Sequence, residues 1–265
     1  MHQVSVLKRA SKMIRIRMRI VRGFIAKSYL RALSTKDSMD YDNIMIIAPH
    51  PDDEVFGCGG LISLARSHGN RVSIVFITNG GAAHSGCCNI SPERLGLIRR
   101  RTAVRANSIL GVDESNLTWL NVPDGEIPDT HHPDFKRLCN LIAQQFLRIN
   151  PRVVMATHFM DVWPDHVATN HLVQAALAIY GKPVICYYYP SWLLLKTRLR
   201  DFLKLSQLKV VCVDIDAVVG TKEEAIKCYL SDINSICGKP YCGALPLGFV
   251  GLLRGQYELF FTRKQ

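Results

Sequence analysis

Asn43-Ile44-Met45-Ile46-Ile47-Ala48, running straight into Pro49-His50-Pro51-Asp52-Asp53-Glu54, is the stretch on which the fold turns. Its first half is a short, unbroken apolar run, as expected of a strand covered on both faces. Its second half crowds three acids and a histidine against that strand. Such crowding is electrostatically costly unless a cation or a hydrogen-bond network compensates, and a bound metal does so directly. His50 and Asp53 stand three apart across a proline-restricted turn, so an imidazole nitrogen and a carboxylate oxygen can converge on one ion and leave Asp52 to point elsewhere.

Outward from this stretch, a glycine-containing loop (Gly57-Cys58-Gly59-Gly60) leads to a helical pattern over about 61–67. His68-Gly69-Asn70 breaks it, and 71–78 reads as a second strand, giving a βαβ unit with parallel strands. The alternation continues with helices near 94–110, 134–149 and 166–180, and strands near 117–120, 152–157, 183–189 and 208–213. Thr221 with Glu224 forms a capping-box pattern that opens a further helix. The order predicts an α/β fold, an open and mostly parallel sheet with helices on both faces.

In such sheets the site lies beyond the carboxyl ends of the strands. A catalytic zinc takes three protein ligands and keeps a position for water, so a third ligand must come from another strand end. The strand at 152–157 offers His158, then Trp163-Pro164-Asp165-His166, then His171. His171, five residues after His166 and roughly 140° around a helix from it, reads as structural. His158 follows the strand directly and reads either as a site residue or as a packed one. Glu54 reads as support for its loop, and Asp165 as an acid that orients His166 or a neighbouring group.

Composition narrows the class. A chain of 265 residues that is 48% hydrophobic can bury one large core. Nine cysteines, an odd number at irregular spacing, read as reduced thiols. Gly57-Cys58-Gly59-Gly60 lacks the GxGxxG spacing, and the acids before it would repel a pyrophosphate, which argues against a dinucleotide. His84, Cys87 and Cys88 fall in the loop after the second strand, where substrate or plain solvent is expected.

The net charge of +11 is local. Ten of the 33 basic residues precede Asp37, the first acid, leaving 23 basic residues against 22 acidic ones in the rest. The chain therefore divides into a basic extension over 1–36 and a nearly neutral domain over 43–265. The extension mixes its cations with apolar residues and no proline, as an amphipathic helix does, though 14–20 also alternates as a strand would. It suits contact with an anionic membrane, and equally a solvated tail or a helix packed on the domain. A neutral folded part argues against a nucleic-acid partner. With no secretory signal and no apolar run of membrane length, a cytoplasmic protein is expected, soluble or docked on a membrane surface.

Pro49-His50-Pro51-Asp52-Asp53-Glu54 after an apolar strand, Gly57-Cys58-Gly59-Gly60, and the later Pro164-Asp165-His166 together resemble the LmbE-like (PIG-L) deacetylases. Leu110-Gly111-Val112, Pro123-Asp124-Gly125 and the closing Tyr257-Glu258-Leu259-Phe260 stand in the same order, so the resemblance covers 43–265. It implies a Rossmann-like, three-layer domain that deacetylates an N-acetylglucosamine-type sugar carried on lipid, inositol or polysaccharide. It also implies a single zinc, or another divalent ion, held by His50, Asp53 and His166, with Asp52 as general base. Arg99 falls where the family places a substrate-binding arginine, with Arg100 and Arg101 competing for that register.

The chain departs from the pattern at Trp163, where many relatives carry a histidine that is thought to stabilise or protonate the tetrahedral species. Tryptophan cannot protonate anything. Either His158 or another residue replaces that histidine while Trp163 stacks on a sugar or packs, or the domain is degenerate. A degenerate domain would be a binding module, tethered by its basic arm to anionic membrane or nucleic acid.

Overall fold

In the computed structural model, which describes residues 2–36, 42–84, 89–196, 199–235, 245 and 247–263, the apolar run Asn43–Ala48 is a strand buried along its whole length. Chain order is α1 (His2–Leu33), β1 (Thr35–Lys36), β2 (Asn43–Ala48), α2 (Asp53–Ser67), β3 (Arg71–Thr78), α3 (Pro92–Ile109) and β4 (Leu117–Val122). There follow α4 (Phe135–Ile149), β5 (Val153–Thr157), α5 (Pro164–Tyr180), β6 (Ile185–Tyr189), α6 (Leu193–Lys196), α7 (Leu199–Ser206), β7 (Lys209–Asp214), α8 (Val219–Ser235), α9 (Leu247–Leu253) and β8 (Tyr257–Thr262).

These strands form one sheet in the order β1-β7-β8-β6-β5-β2-β3-β4. β2 pairs in parallel with β3 on one side and β5 on the other. The chain thus steps outward from β2 through β3 to β4, then returns across to β5 and β6. Right-handed crossovers in opposite directions put their helices on opposite faces. Accordingly α4 packs on α5 in one layer, while α2 and α3 pack with α8 in the other. The expected three layers and mostly parallel sheet are present; β8 alone runs antiparallel, between β6 and β7. The reversal of strand order leaves a crevice at the carboxyl ends of β2 and β5, the place where open α/β sheets bind their ligands.

Two local expectations are corrected. The glycines at 57, 59 and 60 do not form a loop, because α2 begins at Asp53 and runs through them. A Cβ on Gly57 would come 2.4 Å from the Tyr189 ring, and one on Gly60 would come 2.3 Å from Ile215, so these glycines let the helix lie close against its neighbours. Thr221 is not a cap either. The short turn Asp216–Val218 passes directly into α8 at Val219, and Thr221 lies inside the helix.

The basic extension is helical rather than strand-like, and its second half is built into the fold. Ala26 and Leu30 are fully buried, and Gly23 fits against Leu252 and the Leu194 carbonyl. The Lys27 ammonium donates to the carbonyl oxygens of Leu252 (2.6 Å) and Arg254 (2.9 Å) at the end of α9. β1 then adds to the sheet edge, Thr35 opposite Val211. Among the described residues no helix is long and apolar enough to cross a membrane. Cys58, Cys139, Cys186, Cys212 and Cys228 are thiols; Cys87, Cys88, Cys237 and Cys242 lie outside the described residues.

Candidate active site

The loop after β2 and the start of α5 meet in this crevice. Asp53 lies between the two histidines: its Oδ2 is 3.2 Å from His50 Nδ1 and 3.4 Å from His166 Nε2. Ligand atoms of His50, Asp53 and His166 all lie within 4.8 Å of one another. Two imidazoles and a carboxylate, with a fourth position left for water, are the donor set of a catalytic zinc.

Each of these side chains is backed by a polar partner on its far side. His50 Nε2 is 2.9 Å from Asp165 Oδ2 and 3.1 Å from Asp124 Oδ1. His166 Nδ1 is 3.4 Å from Asp161 Oδ1, and Asp53 Oδ1 accepts from the Ser191 hydroxyl at 2.9 Å. Carboxylates behind ligating histidines fix ring orientation and tautomer. Thr157 and Asn170 complete the frame: Thr157 Oγ1 donates to the His166 carbonyl, and Asn170 donates to that of Thr157.

The four acids around two imidazoles carry more negative charge than the rings can neutralise, so the chemistry of the donors fits a divalent cation. Burial pulls the His50 imidazole down, yet hydrogen bonds to Asp124, Asp165 and Asp53 lift it well above the ordinary histidine range. Burial likewise opposes protonation of His166, but Asp53 and Asp161 carry it to about 9. Burial pushes the Asp53 carboxyl up, but the attraction of His166 outweighs it and holds Asp53 below the usual carboxylate range.

Asp52 stands beside this group, partly exposed, at a φ of 129°, a conformation that L residues rarely adopt. Three contacts hold it there. Its N–H donates to Glu54 Oε2 (2.9 Å), Arg99 Nη2 lies 3.0 Å from its Oδ2, and the same guanidinium donates to the Pro51 carbonyl. Burial raises the Asp52 carboxyl to about 6, against the pull of Arg99. A base with that value is mostly ionised near neutral pH and can give its proton back.

The remaining expected residues are placed as follows. Glu54 is fully buried and does not face the two histidines; it accepts from Tyr229 (2.7 Å) and Asn107 (2.9 Å), tying α2 to α8 and α3. Arg99 is the buried member of its trio, while Arg100 lies over the Trp119 ring and Arg101 is exposed. Asp165 contacts the His50 ring, whereas the carboxylates against His166 are those of Asp53 and Asp161. His158 is fully buried, stacked on Phe159 and edge-on to Phe261, and burial takes its imidazole down to about 3. Trp163 precedes α5 at 45% exposure, edge-on to Trp192. His171 is exposed on α5.

Sequence reasoning missed Asp161 and Ser191, and met Asp124 only as part of a familiar string. All three follow the carboxyl end of a strand (β5, β6 and β4), so the rule that drew attention to His50 was signal enough for them.

Comparison with known proteins gives the same outline. Residues 45–177 match the family described as PIG-L, GlcNAc-PI de-N-acetylase. A relative from Bacillus anthracis, a probable N-acetyl-alpha-D-glucosaminyl L-malate deacetylase 2, is 28% identical over 51% of this chain and 59% of its own length. A 1D-myo-inositol 2-acetamido-2-deoxy-alpha-D-glucopyranoside deacetylase from Nakamurella multipartita is 27% identical over 53% of this chain and 56% of its own. The chain thus spans less than two thirds of either relative. Among solved structures, the conserved protein TT1542 from Thermus thermophilus superposes with a TM-score of 0.54 and 27% identity, over 72% of this chain and 80% of that one.

Proposed function

The chain belongs to the PIG-L family, and from that premise we propose that it is a zinc-dependent hydrolase that removes the acetyl group from an N-acetylglucosamine-type amino sugar in a glycoconjugate. The observation that carries the reading is the convergence of His50, Asp53 and His166, with Asp52 held beside them by Arg99. Deacetylases of malate- and inositol-linked substrates among the relatives support it.

His50, Asp53 and His166 would hold the ion, and Asp124, Asp161, Asp165 and Ser191 would orient those three. When bound, zinc supplies a water acidified to a pKa of ~7 and a Lewis-acid contact for the amide oxygen. Asp52 takes the proton from the attacking water as its oxygen bonds to the acetyl carbon. As the C–N bond breaks, Asp52 returns that proton to the departing amine, so water and acetamide become acetic acid and amine, which leave as acetate and ammonium near neutral pH. Arg99 keeps Asp52 in its strained position and favours its ionised form against burial. Trp163 presents an indole face at the rim, suited to stacking on a sugar ring.

One observation favours the second reading, a degenerate domain that binds without turnover: Trp163, which stands where the family resemblance implies a histidine, has no group that titrates near neutral pH, and His158 is fully buried against Phe159. Acetate release from free, inositol-linked and lipid-linked N-acetylglucosamine by metal-stripped protein separates the two. Release that returns with zinc supports the hydrolase. No release from any conjugate, with zinc bound, overturns it in favour of the binding module.

A further inference from the structure

α1 has two opposed apolar faces. Nine residues are two and a half turns of an α-helix, so residues nine apart lie on opposite sides. Ile14, Met18 and Val21 are each nine before Gly23, Lys27 and Leu30, the positions by which α1 is buried in the protein. With Ile25, they form a stripe at i, i+4, i+7 and i+11 that points away from the domain. Their exposures are 57% for Ile14, 59% for Met18, 58% for Val21 and 63% for Ile25, more than a packed helix leaves uncovered. Arg17 and Arg22 flank the stripe and share its surface. An apolar stripe continuous over three turns is not what a solvated helix face needs.

Charge identifies the occupant. Residues 1–36 hold ten cations and no acid, so a second copy laid on this face would set arginine against arginine. An anionic bilayer supplies negative charge at the level of the arginines and apolar depth beneath it. We propose that the outward face of α1, centred on Ile14, Met18, Val21 and Ile25 and flanked by Arg17 and Arg22, docks the protein in the plane of an anionic membrane.

The docked face is coupled to the pocket through packing. Ile20 of α1 lies against Gly248 of α9, and Phe249 of α9 stacks on Trp192 at 4.2 Å. Trp192 meets Trp163 edge-on and donates its backbone N–H to Asp161 (3.0 Å). The aromatic rim of the pocket is therefore continuous with the element that carries α1.

The test is co-sedimentation of the full chain with vesicles of phosphatidylcholine alone and of phosphatidylcholine with phosphatidylglycerol, beside two variants. One carries Ile14→Ser, Met18→Ser, Val21→Ser and Ile25→Ser; the other carries Arg17→Gln and Arg22→Gln. The substituted side chains are exposed, Arg22 partly so, and none belongs to the candidate active site, so circular dichroism and acetate release from a soluble conjugate stay at wild-type level. Wild type is expected to sediment with the anionic vesicles only. The arginine variant should bind them roughly thirtyfold more weakly, and the serine variant more than about tenfold more weakly. Equal sedimentation with both vesicle types, or a serine variant that binds like wild type, overturns the proposal. So does a wild-type dimer in solution that the serine variant dissolves, which would make a second copy the occupant. None of these outcomes depends on the hydrolase reading.

Discussion

Asp52 pays a conformational penalty of about 1–3 kcal/mol for its positive-φ backbone, and three contacts from Glu54 and Arg99 hold it there. Strain of this kind marks a residue whose position matters more than its comfort. At the same scale, Trp163 and His158 make opposite predictions. An imidazole at 163 would add a donor to the developing oxyanion, so Trp163→His should raise acetate release by roughly tenfold or more; an unchanged rate would mean that the oxyanion is already held without it. His158→Phe should leave the rate unchanged and lower the thermal midpoint slightly, since the substitution removes one hydrogen bond, to the Met160 N–H, worth about 1 kcal/mol. A large loss of turnover in that variant would return His158 to the site.

The elements that position the site are locked by a buried polar cluster that spacing alone could not announce. Glu258 on β8 accepts the Gly60 and Leu61 N–H groups of α2 (2.8 Å each) and pairs with Lys222 of α8 at 2.6 Å. Lys222 also donates to the carbonyls of Phe56 and Leu253. Neutralising one partner leaves the other charge buried, so Glu258→Gln should cost on the order of 3–5 kcal/mol in chemical denaturation, and a loss under about 1 kcal/mol would show that the pair is relaxed in solution. Nearby, burial first and the Lys222 charge second lower Lys27 to about 8 from 10.5. A folded value below the unfolded one means that the unfolded chain binds more protons between those limits. The Lys27 contribution to stability therefore rises as pH climbs from about 8 to 10.5, by less than about 1.4 kcal/mol per pH unit. Thermal midpoints of wild type measured against Lys27→Met over that window should diverge in favour of wild type, and parallel curves would contradict the burial of the ammonium.

Across the whole molecule, what the sequence made legible was periodicity and strand ends. The apolar run 43–48 and the alternation after it led to the layered parallel sheet, and the acids and histidines after two strands led to one crevice. Less legible were features that depend on what a residue touches. Gly57 and Gly60 read as loop until Tyr189 and Ile215 are seen against them, and β8 is antiparallel because its neighbours, not its composition, receive it. The basic extension is the clearest case: its charge set it apart in sequence, whereas its second half shares the core. Removing residues 1–36 should therefore lower the thermal midpoint by several degrees or more, because Ala26, Leu30 and the Lys27 contacts go with it. A midpoint equal to that of the full chain would mean that α1 rests on the domain without stabilising it.

The most direct measurement on the central claim pairs bound zinc with acetate release in wild type, Asp52→Asn and His166→Ala. A site in which His50, Asp53 and His166 hold the ion while Asp52 moves the proton predicts that His166→Ala loses both metal and release. Asp52→Asn should retain the metal and lose release by about 10²–10⁴-fold. Full zinc in His166→Ala, or wild-type release from Asp52→Asn, would contradict it.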